Sequence, residues 1–499
     1  MAHPAAKTTP EQTGGLHIDS GKLIRGGIVI AVGLILWFWP PYAKLSLQAT
    51  HLVAIFISTI LGLILQPLPQ GAVVMTGIAL TAITGTLVIG DALNGFQDAT
   101  VWLIVMAFLF ARGFIKTGLG RRIAFLLVRA FGKTTLGLSY AITAADMIIA
   151  PATPSNTARA GGILFPVVRA LSSSLGSEPG KTAKRAGAFL MFNEFQVNLI
   201  TSALFLTGVA PNSAIVNFAK TSFKYQITWG GWFVAASVPA IISLIILPYI
   251  IYKLMNPEVK VSPEAPVLAS KELAKMGPMS GSEKGMLTVF VLTLIMWALP
   301  ADVTKLWFPS AWWLPFNATA VALVGVAVLL LFNVLDWNDV ITEKGGWDAL
   351  IWFGGLVGMA SALSKLGVIG ALATYLKTNL GHQTSWVVAF VLLVVAYNYS
   401  HYLIASMTAH ATAFYVALGL VAISLGAPVG LTALVLGFFN SLNAAMTTYG
   451  TGPAPIYFGA GYVEQGVWWR NGLIISVINL VVWLGVGGLW WRVIGLWGN

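Results

Sequence analysis

Ala150-Pro151-Ala152-Thr153-Pro154-Ser155-Asn156-Thr157 interrupts an otherwise apolar segment at its centre. Its two prolines stop a helix, because each lacks an N–H and its ring clashes with the preceding turn. The apolar flanks reach only about 16 residues on either side, short of the ~20 that span hydrocarbon. A re-entrant helical hairpin over 134–172, with its tip buried in protein, accommodates both facts.

The rest of the chain supplies the membrane that such a hairpin needs. Of 499 residues, 57% are hydrophobic and only 9% charged, and the mean hydropathy is +0.82. Soluble chains carry roughly 25% charged residues, so this composition excludes a water-facing surface and specifies an all-α polytopic membrane protein. The 52 glycines allow close helix approach, and the 19 tryptophans suit membrane interfaces. The net charge of +11 lies mainly in loops between apolar spans, which points to orientation in a membrane and not to nucleic acid. The absence of cysteine excludes disulfides and thiolate chemistry.

Spans read outward from the hairpin give about eleven crossings plus two hairpins. Residues 1–22 are expected to form a cytoplasmic tail, and 23–45 a first transmembrane helix. A first repeat then covers 46–255, with a broken helix at 186–220. The polar stretch 256–284 is a cytoplasmic linker, and 285–499 forms a second repeat with a hairpin at 383–422 and a broken helix at 431–458. Basic loops at 121–133, 169–185 and 253–284 fall on one side. The orientation this implies is a cytoplasmic amino terminus and an extracellular carboxyl terminus, in a bacterial plasma membrane.

Three matches carry the repeat. Lys116-Thr117-Gly118-Leu119 answers Lys365-Leu366-Gly367-Val368, an offset of 249. Asp98-Ala99-Thr100-Val101-Trp102 answers Asp348-Ala349-Leu350-Ile351-Trp352 at 250, and Ser155 to Ala160 answers Ser406 to Ala411 at 251. The two hairpins enter from opposite sides, so the repeats are inverted, as in transporters with midplane sites made by broken helices. Both breaks read Gly-x-x-Pro, at Gly208 to Pro211 and at Gly450 to Pro453, with Gly208, Pro211 and Gly450 as hinges.

A hairpin tip at midplane offers helix-end N–H groups and short hydroxyl or amide side chains, the donors that replace water around a carboxylate. Ser155, Asn156 and Thr157 fit that role, facing Ser406, Met407 and Thr408, with Gly452 and Pro453 beside them. Two donor sets suit a substrate with a carboxylate at each end.

The stretch Pro154-Ser155-Asn156-Thr157-Ala158-Arg159-Ala160-Gly161-Gly162 resembles the first hairpin motif of the divalent anion–sodium symporter superfamily. Tyr399 to His410 is similar to the second hairpin of its dicarboxylate-exchanger branch, to which bacterial citrate/succinate antiporters and the plastid 2-oxoglutarate/malate translocator belong. The resemblance implies a homodimer in lipid. In it, hairpins and broken helices carry di- or tricarboxylates past a static scaffold, as an elevator.

One departure bears on coupling. Sodium-coupled members carry Asn in both motifs; here the second is Met407, and a thioether is a poor ligand for a hard cation. Arg159 and His410 occupy equivalent repeat positions, and Arg159 together with His410 or His401 is expected to supply fixed positive charge in place of sodium. The expected function is sodium-independent exchange of C4–C6 di- or tricarboxylates such as malate, succinate, fumarate or 2-oxoglutarate, with no metal or cofactor. The alternatives are a sodium-coupled symporter, an intramembrane hydrolase around Ser400-His401 or Ser406-His410, and an anion channel. Glu194 is left between proton carrier and partner of Arg159, while Asn198 and Asn443 are the buried amides closest to a substrate role.

Overall fold

The structure is a computed structural model that describes residues 20–41, 45–298, 318–379, 385–404 and 406–498. Most of the expected tail, the 299–317 parts of two expected crossings and the first residues of the second hairpin lie outside the described residues. Among those described, the only strand-like pairing is an isolated bridge between Thr134 and Val261.

Three helices open the chain: α1 (Ser20–Trp37), α2 (Leu47–Leu65) and α3 (Gln70–Ile83). Then come α4 (Ala99–Thr117), α5 (Leu119–Phe131), the hairpin arms α6 (Thr135–Ile149) and α7 (Phe165–Ser174), and the broken helix α8 (Gly187–Leu204) with α9 (Ala210–Phe218). The long α10 (Trp229–Met255) ends the first half. The second half runs through α11 (Glu264–Met276), α12 (Gly281–Ala298), α13 (Ala318–Leu331), α14 (Lys344–Lys365) and α15 (Val368–Asn379). The second hairpin is α16 (Trp386–Ser400) and α17 (Val416–Ser424); the second broken helix is α18 (Val429–Leu442) with α19 (Pro453–Gly459), and α20 (Gln465–Val481) comes next.

The order short helix, hairpin, broken helix, long helix therefore occurs twice. Its local detail recurs too. Gly118 between α4 and α5 has φ +76°, and Gly367 between α14 and α15 has φ +79°, a left-handed conformation that costs glycine nothing. Both of the 15-residue arms α6 and α16 extend about 22 Å, shorter than the ~30 Å of hydrocarbon. A π-helical segment lies just past each tip, at Thr157–Leu164 and Ala411–Tyr415.

Among the described residues nine helices are long and apolar enough to cross a membrane, or up to ten if α11 and α12, bent by 110°, form one span. Those nine include the hairpin arms Thr135–Ala152, Trp386–Leu403 and Met407–Ser424, and leave out the shorter apolar helices Gln70–Ile83, Ala318–Leu331 and Val429–Ala445. The sequence-based reading of about eleven crossings sets hairpins aside and admits the short spans.

Burial separates a core from a lipid-facing shell. Every residue of α8 is buried, as is α18 from Leu431 onward, whereas α1 buries none. The stretch read as a linker is more ordered than a connector. Ala265, Ala269 and Leu273 recur every fourth residue and are buried, which gives α11 one apolar face. Arg122 of α5 grips Glu283 at the start of α12 with two hydrogen bonds of 2.6 and 3.1 Å and donates to the Gly277 carbonyl at 2.9 Å. On α4, Lys116 donates to Asp339 and to Asp336 at 2.9 Å, and its hydrogen bond holds the Asp336 carboxyl below the usual carboxylate range.

Among the described glycines, the tightest approach to backbone joins the segment after α3 to α14. A Cβ on Gly95 would lie 1.9 Å from the Gly354 carbonyl oxygen and 2.4 Å from the Gly358 nitrogen. The neighbours are backbone and cannot rotate away. Gly95→Ala is expected to cost about 1–3 kcal/mol or more, as overpacking does. Gly90→Ala, with nothing within 4 Å, should be neutral; thermal unfolding of the two variants in detergent compares them.

Candidate functional site

The first tip is built by its breaks. After α6 the chain turns through a 3₁₀ segment, Ala150–Ala152, and Ser155 caps the helical turn beyond it by accepting from the Ala158 N–H at 3.1 Å. Ser406 repeats this at the second tip, accepting from Ala409 N at 3.3 Å, and also accepts from Gln70 Nε2 of α3 at 3.1 Å. Both serine oxygens are therefore engaged by protein donors.

Asn156 is where the tips converge. Its Nδ2 donates to Thr451 Oγ1 at 2.8 Å and lies 4.0 Å from Met407 Sδ. Thr157 abuts Gly452 so closely that a Cβ there would stand 1.9 Å from Thr157 Oγ1. Asn156, Thr157, Met407, Thr451 and Gly452 thus form one cluster, drawn from both tips and the second break. Thr408 is buried at the second tip. Pro211 and Pro453 sit in the first turn of α9 and α19, where a missing N–H leaves no bond unmade.

Behind each tip lies a polar clasp. In the first, Arg159 Nε donates to Asp146 Oδ1 at 2.8 Å, across the hairpin arms. Its Nη1 donates to the carbonyls of Thr153 at 2.9 Å and Gly208 at 2.7 Å. Its Nη2 donates to Thr201 Oγ1 at 3.2 Å and Ser202 Oγ at 2.9 Å. Asp146 also accepts from Asn198 Nδ2 at 3.1 Å and from the Thr201 hydroxyl.

The second clasp uses the equivalent positions. Tyr397 and His410 stand where Asp146 and Arg159 stand, each 251 residues on (397 − 146 and 410 − 159), with ring centroids 4.4 Å apart. Asn440, Asn443 and Gly450 answer Asn198, Thr201 and Gly208, each 242 residues on (440 − 198, 443 − 201 and 450 − 208). Tyr397 donates to Asn440 Oδ1 at 3.2 Å, and Asn443 Nδ2 lies 3.1 Å from His410 Nδ1. His401 Nε2 meets the Gly450 carbonyl at 2.7 Å, as Arg159 meets that of Gly208.

This arrangement changes the reading of the charged residues. Arg159 has five N–H donors; all have partners, the group is fully buried, and Asp146 balances its charge. It presents no surplus charge at the tip. His410 lies between Asn443 and Ser400, with Nε2 2.8 Å from a Ser400 hydroxyl that itself donates to the Tyr397 carbonyl. With Nδ1 accepting from the amide and Nε2–H donating to the hydroxyl, the ring is neutral. The partner of Arg159 is Asp146, with Glu194 near the pair but not bonded to it.

Three residues of the site escape a reading of the sequence. Thr451 lies inside the Gly-x-x-Pro break, where it looks like filler between the hinge and the proline. Asp146 carries a usable signal: it is the one acidic residue in 134–172. Gln70, on a helix remote in sequence, gives none.

Residues 21–497 match the family described as the sodium:sulfate symporter transmembrane region. YflS of Bacillus subtilis, which carries the name of a malate transporter, is 48% identical over 477 residues, covering 95% of this chain and 97% of the relative. The chloroplast dicarboxylate transporter 1 of Arabidopsis thaliana is 44% identical over 470 residues, 94% of this chain and 82% of the relative. The YdaH transporter of Alcanivorax borkumensis shares the fold, with a TM-score of 0.52 at 16% identity over 95% of this chain and 97% of that one.

Removing one member of a buried ion pair strands the other, typically at about 3–5 kcal/mol. Asp146→Asn is therefore expected to lower the unfolding temperature in detergent sharply. Asp146→Asn combined with Arg159→Gln, which leaves a neutral pair as in the second clasp, should recover part of the loss. A single variant as stable as the parent would remove the clasp from the structure's main supports.

Proposed function

The chain belongs to the sodium:sulfate symporter transmembrane-region family, a family of membrane transporters and not of enzymes, and on that premise we propose that it exchanges C4–C6 dicarboxylates or tricarboxylates without sodium. The single observation that carries this reading is the convergence at Asn156, which reaches Thr451 and approaches Met407. An amide of the first tip and a hydroxyl of the second break at one place suit a carboxylate-bearing anion. The relatives named for malate and dicarboxylate transport support the substrate class.

Two features favour sodium independence. Met407 supplies sulfur where a hard cation wants oxygen. The carbonyls of Thr153 and Gly208, the kind of oxygen such a cation takes, already accept from Arg159, and that of Gly450 is engaged by His401. These donors are covalently fixed, so no mobile cation leaves with the substrate, and return of the empty site moves the polar tips, without their anion, through a region without water. That favours exchange over net uptake. Inverted repeats and an elevator motion of hairpins and broken helices against a scaffold fit the recurring element order. A homodimer in a bacterial plasma membrane, with its amino terminus cytoplasmic and carboxyl terminus outside, belongs to the same reading.

The rival is a sodium-coupled symporter, favoured by the family's description and by the intact Asn156. A hydrolase has no support at Ser400, whose proton is committed to a backbone carbonyl while His410 donates to its oxygen.

Counterflow in proteoliposomes tests the proposal. Vesicles preloaded with malate or succinate should take up labelled malate rapidly and empty vesicles slowly, and replacing sodium by choline should leave the rate unchanged. A steep sodium dependence selects the symporter; unsaturable flux selects a channel. Asn156→Ala, Thr157→Val and Thr408→Val should each weaken affinity by about 1–3 kcal/mol for a lost hydrogen bond to a charged group. Saturation curves for the three variants read that loss directly.

A further inference from the structure

Glu194 lies midway along α8, fully buried, and neither carboxyl oxygen has a hydrogen-bond partner in the protein. Its neighbour Asn193 is equally buried, and its amide is likewise unpartnered. No other acidic side chain among the described residues has both carboxyl oxygens buried without a partner. Asp146, equally buried, has Arg159, Asn198 and Thr201.

The ionisable groups that act on Glu194 come from three elements packed on α8: Asp146 from α6, Arg159 from the π-segment after the tip, and Tyr457 from α19. Tyr457 directs its hydroxyl to the Ala160 carbonyl at 2.9 Å and not to the acid. Of the other ionisable groups on elements packed on α8, Tyr252 packs against Phe189, more than a turn earlier on α8, Lys184 and Arg185 precede the helix, and Tyr140, Arg169, Tyr249, Lys253 and Arg470 do not act on Glu194. Asp146 and Arg159 sum to zero charge, so an ionised Glu194 would leave this side of the tip with a net −1 and no donor to stabilise it. Burying a charge without a partner costs several kcal/mol. The neutral acid is the form this pocket accommodates.

We infer that Glu194 is a proton-binding site, and that its proton is linked to binding of the anionic substrate at the adjacent tip. The inference rests on the transport reading above. A dianion arriving beside Asp146, Arg159 and Glu194 meets a neutral group when Glu194 holds its proton and a like charge when it does not. Substrate binding and proton binding then favour one another, and linkage makes the effect reciprocal. Rising pH removes the proton and weakens binding; falling pH restores it.

The test measures malate binding to purified protein by calorimetry from about pH 6.5 to pH 9, where both malate carboxyls are ionised, in buffers of differing ionisation enthalpy. Affinity in the parent should hold while the unliganded acid keeps its proton and fall above that, approaching tenfold per pH unit for one linked proton, with protons taken up on binding malate at the alkaline end of the range. Glu194→Gln, which copies the shape of the neutral acid, should bind with an affinity that does not vary with pH; Glu194→Asp should keep a slope. Infrared spectra without substrate supply an independent reading. A protonated-carboxyl band near neutral pH should be present in the parent and absent in Glu194→Gln. A flat profile in the parent, an unchanged slope in Glu194→Gln, or a missing band overturns the inference while malate binding stands. Absence of malate binding at every pH would instead count against the transport reading, with the infrared band still deciding the protonation of Glu194.

Discussion

A helix broken inside a membrane leaves peptide carbonyls without partners where no water can supply them, and the site depends on how that deficit is met. The protein meets it twice with nitrogen donors. Arg159 closes on the carbonyls of Thr153 and Gly208, and His401 on that of Gly450. Those bonds let the chain remain irregular at the two places where backbone and short side chains approach one another. Without them, the breaks would expose unsatisfied polar groups at several kcal/mol apiece, and a continuous helix would bury the same residues more cheaply. Part of the polarity of α8 and α18 has the same origin: Asn198, Thr201 and Ser202 complete the first clasp and Asn440 the second.

The two halves satisfy the same geometric need with different chemistry. One uses an ion pair that crosses the hairpin; the other uses a phenol and an imidazole in the same two positions. Both tie the arms of a hairpin to the helix behind it. The charged version holds the first tip with five directed donors on one planar group, which fixes orientation as well as distance. The neutral version distributes the task over Tyr397, Ser400, His401 and His410, each with one or two bonds.

Much of this architecture is legible in the sequence. The breaks are local events written by proline and glycine, and α6 ends and α9 begins beside them. The repeat is legible because Gly118 and Gly367 serve the same left-handed turn. The hidden part depends on pairing across space. Periodicity does not tell that Asp146 faces Arg159, because the two lie on different arms, nor that Thr451 receives the Asn156 amide from 295 positions away. Arg159 reads in the sequence as a charge offered to a substrate because an intramembrane arginine is so often functional; its partners make it a strut. The apolar face of α11 is hidden differently, by a polar average over a stretch in which only every fourth residue is buried.

Thr157 and Gly452 meet so tightly that a single added methyl on the glycine would overlap the threonine hydroxyl. They come from opposite halves of a chain whose halves otherwise differ freely, even to exchanging an ion pair for two neutral rings. Divergence between the halves therefore has a point of contact at which position 452 cannot gain bulk alone. Bulk gained at 452 must be surrendered at 157, so among descendants of this sequence the two positions form one inherited unit, and the gene's front and back are bound there to a shared history.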